Sequence, residues 1–214
     1  MLPSLSGPAW ILALEQTQAR GRRGRAWTTP RGNFAGTLVM RRAEAPGVAA
    51  LRSFVTSLAL YRTFAAVTGL PDAFNDVLLH GGKVAGILLE STGDHLVIGI
   101  GVNLAHAPAP DQVEARALRP MSLARDLQVE VSPEIFLDSL AAEYAVLEDQ
   151  FTTHGFAPIR RAWLDHAAKL GEVITARTMR DVTIGTFEDV DESGNLILQT
   201  SQGQVAITAA DVFF

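Results

Sequence analysis

The chain has 214 residues, 48% hydrophobic and 19% charged, with a formal net charge of −5. This length and composition support one large packed domain, with room for a small appendage, and exclude a disordered chain. There is no cysteine, which excludes disulfides, thiolate metal sites and a cysteine nucleophile, and there is no uninterrupted run of about 18 apolar residues that could span a membrane.

Residues 9–14, Ala-Trp-Ile-Leu-Ala-Leu, read as a buried strand. The stretch after it, residues 16–27, is Gln-Thr-Gln-Ala-Arg-Gly-Arg-Arg-Gly-Arg-Ala-Trp. Arg20, Arg22, Arg23 and Arg25 alternate there with Gly21 and Gly24. Arginine offers planar forks for phosphate or carboxylate, and glycine lets backbone approach a ligand closely. An Arg/Gly tract also suits a nucleic-acid patch or a solvated loop. The acidic balance of the whole chain weakens the nucleic-acid reading, but composition leaves all three open.

Pro30 and Gly32 signal turns ahead of a second strand over 34–40. Val48, Leu51, Phe54, Val55, Leu58, Tyr61 and Phe64 recur at helical spacing, which predicts one buried helix over about 47–67 with Gly69 as its stop. The aromatic stripe of that helix reads as core. A hairpin follows: a strand over 74–79, a turn at His80-Gly81-Gly82, and a strand over 83–90. Residues 95–104 form the next strand. Gly86, Gly99 and Gly101 lie inside these strands, where glycine costs stability; they mark either a ligand surface or a place of tight packing. Only Lys83 and Lys169 are lysine in a chain that otherwise uses arginine. A retained lysine suggests a need for a compact ammonium, which marks Lys83.

Residues 105–120 form a proline-containing loop, and 121–127 a short helix. Ser132-Pro133-Glu134 has the residue types of a helix start, with Phe136, Leu140, Tyr144, Leu147 and Phe151 on one face and Gly155 at the end. A further helix covers 157–168. Short strands over 173–177, 182–187, 196–199 and 204–207 then make a small β-barrel-like module. The fold class is α+β, with a mixed or antiparallel sheet domain over 1–168 and the β module over 169–214. The five histidines are scattered and show no ligand spacing.

Taken together, these segments resemble a biotin–protein ligase. Gln16-Thr17, the Arg20 to Arg25 tract and Trp27 resemble that family's Arg/Gly loop. Asn75-Asp76 resembles the end of its Lys-Trp-Pro-Asn-Asp motif. Lys83-Val-Ala-Gly-Ile-Leu88 and Gly99-Ile-Gly-Val-Asn103 resemble its Lys-x-x-Gly-Ile-Leu and Gly-x-Gly-x-Asn motifs. The chain departs from the pattern in three places. Ala19 stands where the loop has its first glycine, Lys-Trp-Pro does not precede Asn75, and no Ser-Thr-Asn segment precedes residue 9.

The resemblance implies an SH3-like C-terminal module and an ATP-dependent, two-step reaction. Biotin and ATP give biotinyl-adenylate, and the biotinyl group then passes to a lysine of a biotin carboxyl carrier domain. It implies catalytic roles for Lys83 and Arg22. Gln16, Arg20, Arg22, Lys83, Gly86, Leu88 and Gly99 are expected around biotin, and Arg22, Arg25, Trp27, Asn75 and Asn103 around the nucleotide. Mg²⁺ is expected with ATP, and Asp76 is the candidate to lie near it. The expected setting is a cytoplasmic monomer or homodimer with no DNA and no membrane partner. A lipoate-type acyl ligase or transferase, and a catalytically impaired ligand- or nucleic-acid-binding relative, are the alternatives.

Overall fold

The structure, a computed structural model, describes residues 7–21, 24, 27–75, 77–113, 118–178, 181–208 and 211–213. The chain opens with β1 (Ala9–Ala13) and β2 (Phe34–Arg41), joined by the Arg/Gly loop. Two helices follow, α1 (Pro46–Ala50) and α2 (Arg52–Thr68). One helix was expected here. The chain instead tightens at Leu51, whose N–H donates to the carbonyl of Val48 at 3.1 Å, an i→i−3 turn that interrupts the α-helical ladder. Gly69 closes α2 in the left-handed conformation, φ 69° and ψ 13°, as its glycine predicts.

The expected hairpin over 74–90 is divided. Three two-residue strands, β3 (Phe74–Asn75), β4 (Leu78–Leu79) and β5 (Gly82–Lys83), form a small antiparallel sheet of their own. Only then do β6 (Ala85–Thr92) and β7 (His95–Val102) pair as a long hairpin. Lys83 and Gly86, read as members of one strand, therefore lie in different sheets. The break comes at Val84, which is fully buried and whose N–H donates back to the carbonyl of Val77.

The rest comprises α3 (Leu123–Leu127), α4 (Pro133–His154), α5 (Phe156–Leu164), β8 (Val173–Arg177), β9 (Val182–Val190), β10 (Leu196–Thr200), β11 (Gly203–Ile207) and β12 (Asp211–Phe213). Ser132 caps α4, its Oγ accepting the N–H of Ile135 at 3.3 Å. Among the described residues, β1-β2-β7-β6 make a four-stranded antiparallel sheet and β11-β10-β9-β8-β12 a five-stranded one. No helix among them is long and apolar enough to cross a membrane.

The core forms where one face of the four-stranded sheet meets α2 and α4. Phe34, Leu38 and Met40 of β2, with Ile98, Ile100 and Val102 of β7, pack against Leu58, Phe64, Phe136, Leu140 and Leu147. Side chains alternate across a strand, so Gly99, Gly101 and their neighbours face the other way. The five-stranded sheet is tied to the helices through α5. Arg160 bonds to Asp189 and to the Val190 carbonyl, and Trp163 donates to Ser57 Oγ at 3.0 Å.

One charged cluster lies within this packing. Arg52 is buried and binds Glu148 at 2.7 Å, with Glu44 as a second carboxylate partner. Burial works against its charge, yet the two carboxylates hold its pKa above the ordinary value. Burial, and then the Glu148 charge, push the Tyr144 hydroxyl well above its usual range. Removing one member of such a set strands the others without a counter-charge. Arg52→Ala is expected to lose about 3–5 kcal/mol in urea unfolding, and the double change Arg52→Met/Glu148→Leu to lose less.

Candidate active site

The site is built on the face of the four-stranded sheet that turns away from the helices. Registers there align two rows across all four strands. One row is Ala13, Ala35, Gly101 and Gly86. The next is Ile11, Thr37, Gly99 and Leu88. The first row carries no side chain larger than a methyl group, so it forms a trench. The indole of Trp27 lies over its glycine end. A Cβ on Gly101 would come within 2.4 Å of Trp27 Nε1, and one on Gly86 within 3.3 Å of the same ring. Gly99 is different: a Cβ there would meet nothing closer than 3.7 Å, the carbonyl oxygen of Leu88. Two of the three strand glycines thus make room for a side chain, while the third leaves open floor.

The Arg/Gly loop is pinned over this face at several points. Gln16 and Thr29 pair at its base, the Gln16 N–H donating to the Thr29 carbonyl at 3.2 Å. The Trp27 N–H donates to the carbonyl of Ala19 at 3.3 Å. Arg20 reaches β6 and binds Glu90 with both oxygens within 3.3 Å. That pair is exposed, so it orients the loop more than it stabilises the fold. Glu90 was not among the expected site residues. Its signal lay in the two-residue period: Gly86, Leu88 and Glu90 share one face of β6.

Lys83 stands at the rim. Its Nζ lies 5.4 Å from the centroid of the Trp27 ring, within reach of a cation–π contact. Its backbone is held by the segment ahead of α3. The Lys83 N–H donates to the carbonyl of Arg119 at 2.8 Å, and the Met121 N–H to the Lys83 carbonyl at 2.9 Å. Gly82 lets that segment approach, since a Cβ there would come within 2.3 Å of Met121 Cγ.

Gln16, Arg20, Trp27, Lys83, Gly86, Leu88 and Gly99 are therefore gathered on or beside one surface. Asn75 is exposed on β3 and opens onto a neighbouring cleft of about 280 Å³, shared with Leu78, Gly81, Lys169 and Glu172. Asn103 is buried, and its side-chain amide is engaged by the Met121 carbonyl at 3.0 Å. Arg22, Arg25 and Asp76 lie outside the described residues. Among the described residues there is no group of three or more histidines and carboxylates that could hold a metal.

A glycine floor, an indole wall and cations at two edges suit a slender, partly apolar ligand ending in an anion. Comparison with known proteins identifies the family. Residues 2–103 match the model of the biotin/lipoate A/B protein ligase family, and residues 169–214 that of the biotin protein ligase C-terminal domain. A biotin–[acetyl-CoA-carboxylase] ligase of Paracoccus denitrificans is 50% identical over 224 residues, spanning 100% of this chain and 93% of that protein. The bifunctional ligase/repressor BirA of Bacillus subtilis (strain 168) is 28% identical across 94% of this chain and 65% of its own length. In fold, a biotin protein ligase from Aquifex aeolicus, solved with biotin and ATP, superposes with a TM-score of 0.82 at 21% identity, covering 95% of this chain and 87% of that one. Half of the residues shared with a ligase over the whole chain, on a matching fold, leave one assignment: the chain belongs to the biotin–protein ligase family and is an enzyme of the ligase class.

Proposed function

We propose that the chain forms biotinyl-5′-adenylate from biotin and ATP and transfers the biotinyl group to a lysine of a biotin carboxyl carrier domain. In the first step a biotin carboxylate oxygen attacks the α-phosphorus of ATP, and pyrophosphate leaves. In the second the acceptor lysine amine attacks the acyl carbon, an amide forms, the amine loses a proton, and AMP leaves. The observation that carries this reading is Lys83 at the rim of the glycine trench, its ammonium over the Trp27 ring.

The first step brings two anions together, so a cation at the junction lowers its barrier. Lys83 supplies that charge as a compact ammonium. Gly99 and Leu88 form the floor for the bicyclic ring of biotin, and Gln16 and Arg20 border it from the loop. Trp27 divides this floor from the nucleotide side, where Asn75 opens to the cleft. Mg²⁺ accompanies ATP in this reading. The described residues make no protein cage for it, so no step is assigned to a protein-held metal. Because the reaction consumes ATP, it belongs in the cytoplasm on this reading.

The match to a model that spans biotin and lipoate ligases keeps lipoate as the competing substrate. Pyrophosphate release, followed with biotin and with lipoate side by side, tests the reading. Release with biotin and ATP, with AMP appearing when a carrier domain is added, is the expected result. Release with lipoate alone, or with neither acid, would overturn it.

A further inference from the structure

The resemblance assigns Asn103 to the nucleotide, but its surroundings give it other work. It is 3% exposed, and three of its groups are engaged by the protein. Its backbone N–H donates to the Val84 carbonyl at 2.9 Å, and its own carbonyl accepts the Leu123 N–H at 3.2 Å. Its Nδ2 donates to the Met121 carbonyl at 3.0 Å. Met121 in turn donates its N–H to the Lys83 carbonyl. Asn103 thus grips the chain just after Lys83 directly, and the chain running alongside Lys83 through Met121.

We infer that Asn103 is a positioning residue for Lys83, acting through the Arg119–Met121 segment, and that Gly82 is its counterpart. This rests on the reading that Lys83 is the catalytic cation. Lys83 sits in a two-residue strand whose partner β4 is equally short. So short a ladder holds the backbone that carries the side chain only lightly. The 119–121 segment adds to the restraint of the Lys83 backbone, forming a bridge with Lys83 on the side opposite β4. That segment follows a loop and is anchored at two points, by the Arg125 guanidinium on the Pro120 carbonyl at 2.6 Å and by the Asn103 amide on the Met121 carbonyl at 3.0 Å. Gly82 makes the approach possible, because a Cβ would also come within 2.8 Å of the Arg119 carbonyl. A displaced catalytic group loses rate while the binding of a substrate it does not hold is kept.

The test uses Asn103→Ala, Asn103→Asp and Gly82→Ala in the full chain. Asn103→Asp keeps the side chain's shape and removes its donor, so it carries the same readings should Asn103→Ala fail to fold. Steady-state pyrophosphate release should show kcat reduced about 100-fold with KM for ATP unchanged. A second readout uses the fact that Lys83 and Lys169 are the only lysines. Brief acetic anhydride labelling, read by mass spectrometry, gives the rate at Lys83 with Lys169 as internal reference. That ratio should rise severalfold in each variant. A raised KM for ATP with kcat retained would make Asn103 a nucleotide contact and overturn the inference. So would an unchanged labelling ratio. Should the unaltered chain release no pyrophosphate, the proposed reaction fails, while the labelling ratio still decides whether Asn103 holds Lys83.

Discussion

Lys83→Ala is expected to lower biotin-dependent pyrophosphate release by about 10³-fold while leaving the thermal unfolding transition in place. The reason lies in where the side chain stands. Lys83 is exposed on β5, so its truncation leaves no cavity in the core. Its charge is the part the proposed reaction uses, and Nζ stands 5.4 Å from the centroid of the Trp27 ring. Lys83→Arg is the sharper probe. It keeps the charge but spreads it over a planar fork that needs a different approach to an oxygen pair. Recovery of only a small part of the lost rate is expected. Wild-type turnover in Lys83→Ala would remove Lys83 from the reaction.

Gly101→Ala carries the second large effect. No unusual backbone conformation is at stake, since Gly101 is not among the positive-φ glycines. The obstacle is Trp27, whose Nε1 and Cε2 would lie 2.4 and 2.7 Å from the new methyl. Either the indole leaves the trench or the strands move, at a cost of about 1–3 kcal/mol. Because Trp27 is the wall between the two proposed ligand sides, the expected result is a rise in KM for both biotin and ATP. Intrinsic tryptophan fluorescence should also change.

Gly99→Ala is the control for this interpretation. Its added methyl meets only Leu88, the carbonyl oxygen at 3.7 Å and the Cβ at 4.0 Å, both ordinary contacts, so the unliganded fold should be untouched. The methyl instead fills open floor, and KM for biotin alone should rise. If both variants behave alike, the division of the face into a Trp27 wall and an open floor is wrong.

The strand glycines show how far residue order could be read. Their spacing placed Gly99 and Gly101 on one face of a strand, and that followed from the period of two. Whether they served a ligand or tight packing could not be read, because the answer depends on what comes to lie over them. Trp27, 74 positions before Gly101 in the chain, fills the space above one glycine and leaves the other open. Asn103 followed the same pattern. Its motif suggested a nucleotide contact, but the partner of its amide, Met121, is supplied by a segment beyond a loop.

Local chemistry determined a good deal. The Ser132 cap, the Gly69 stop, the core faces of α2 and α4 and four of the five strands of the C-terminal sheet follow from local pattern, whereas β12 was not expected and exists through its pairing of Asp211 with Arg177 on β8. The gathering of cations and glycines into ordered motifs is local too, and is enough to suggest a family. Tertiary structure alone decided which residues share a surface. It set Lys83 apart from the strand of Gly86, brought Arg20 across the sheet to Glu90, and laid the Trp27 ring over Gly101 and Gly86 while leaving Gly99 uncovered by it. These are contacts between positions far apart in the chain, fixed by strand register and by the space that absent side chains leave, and neither is written in any short stretch of residues.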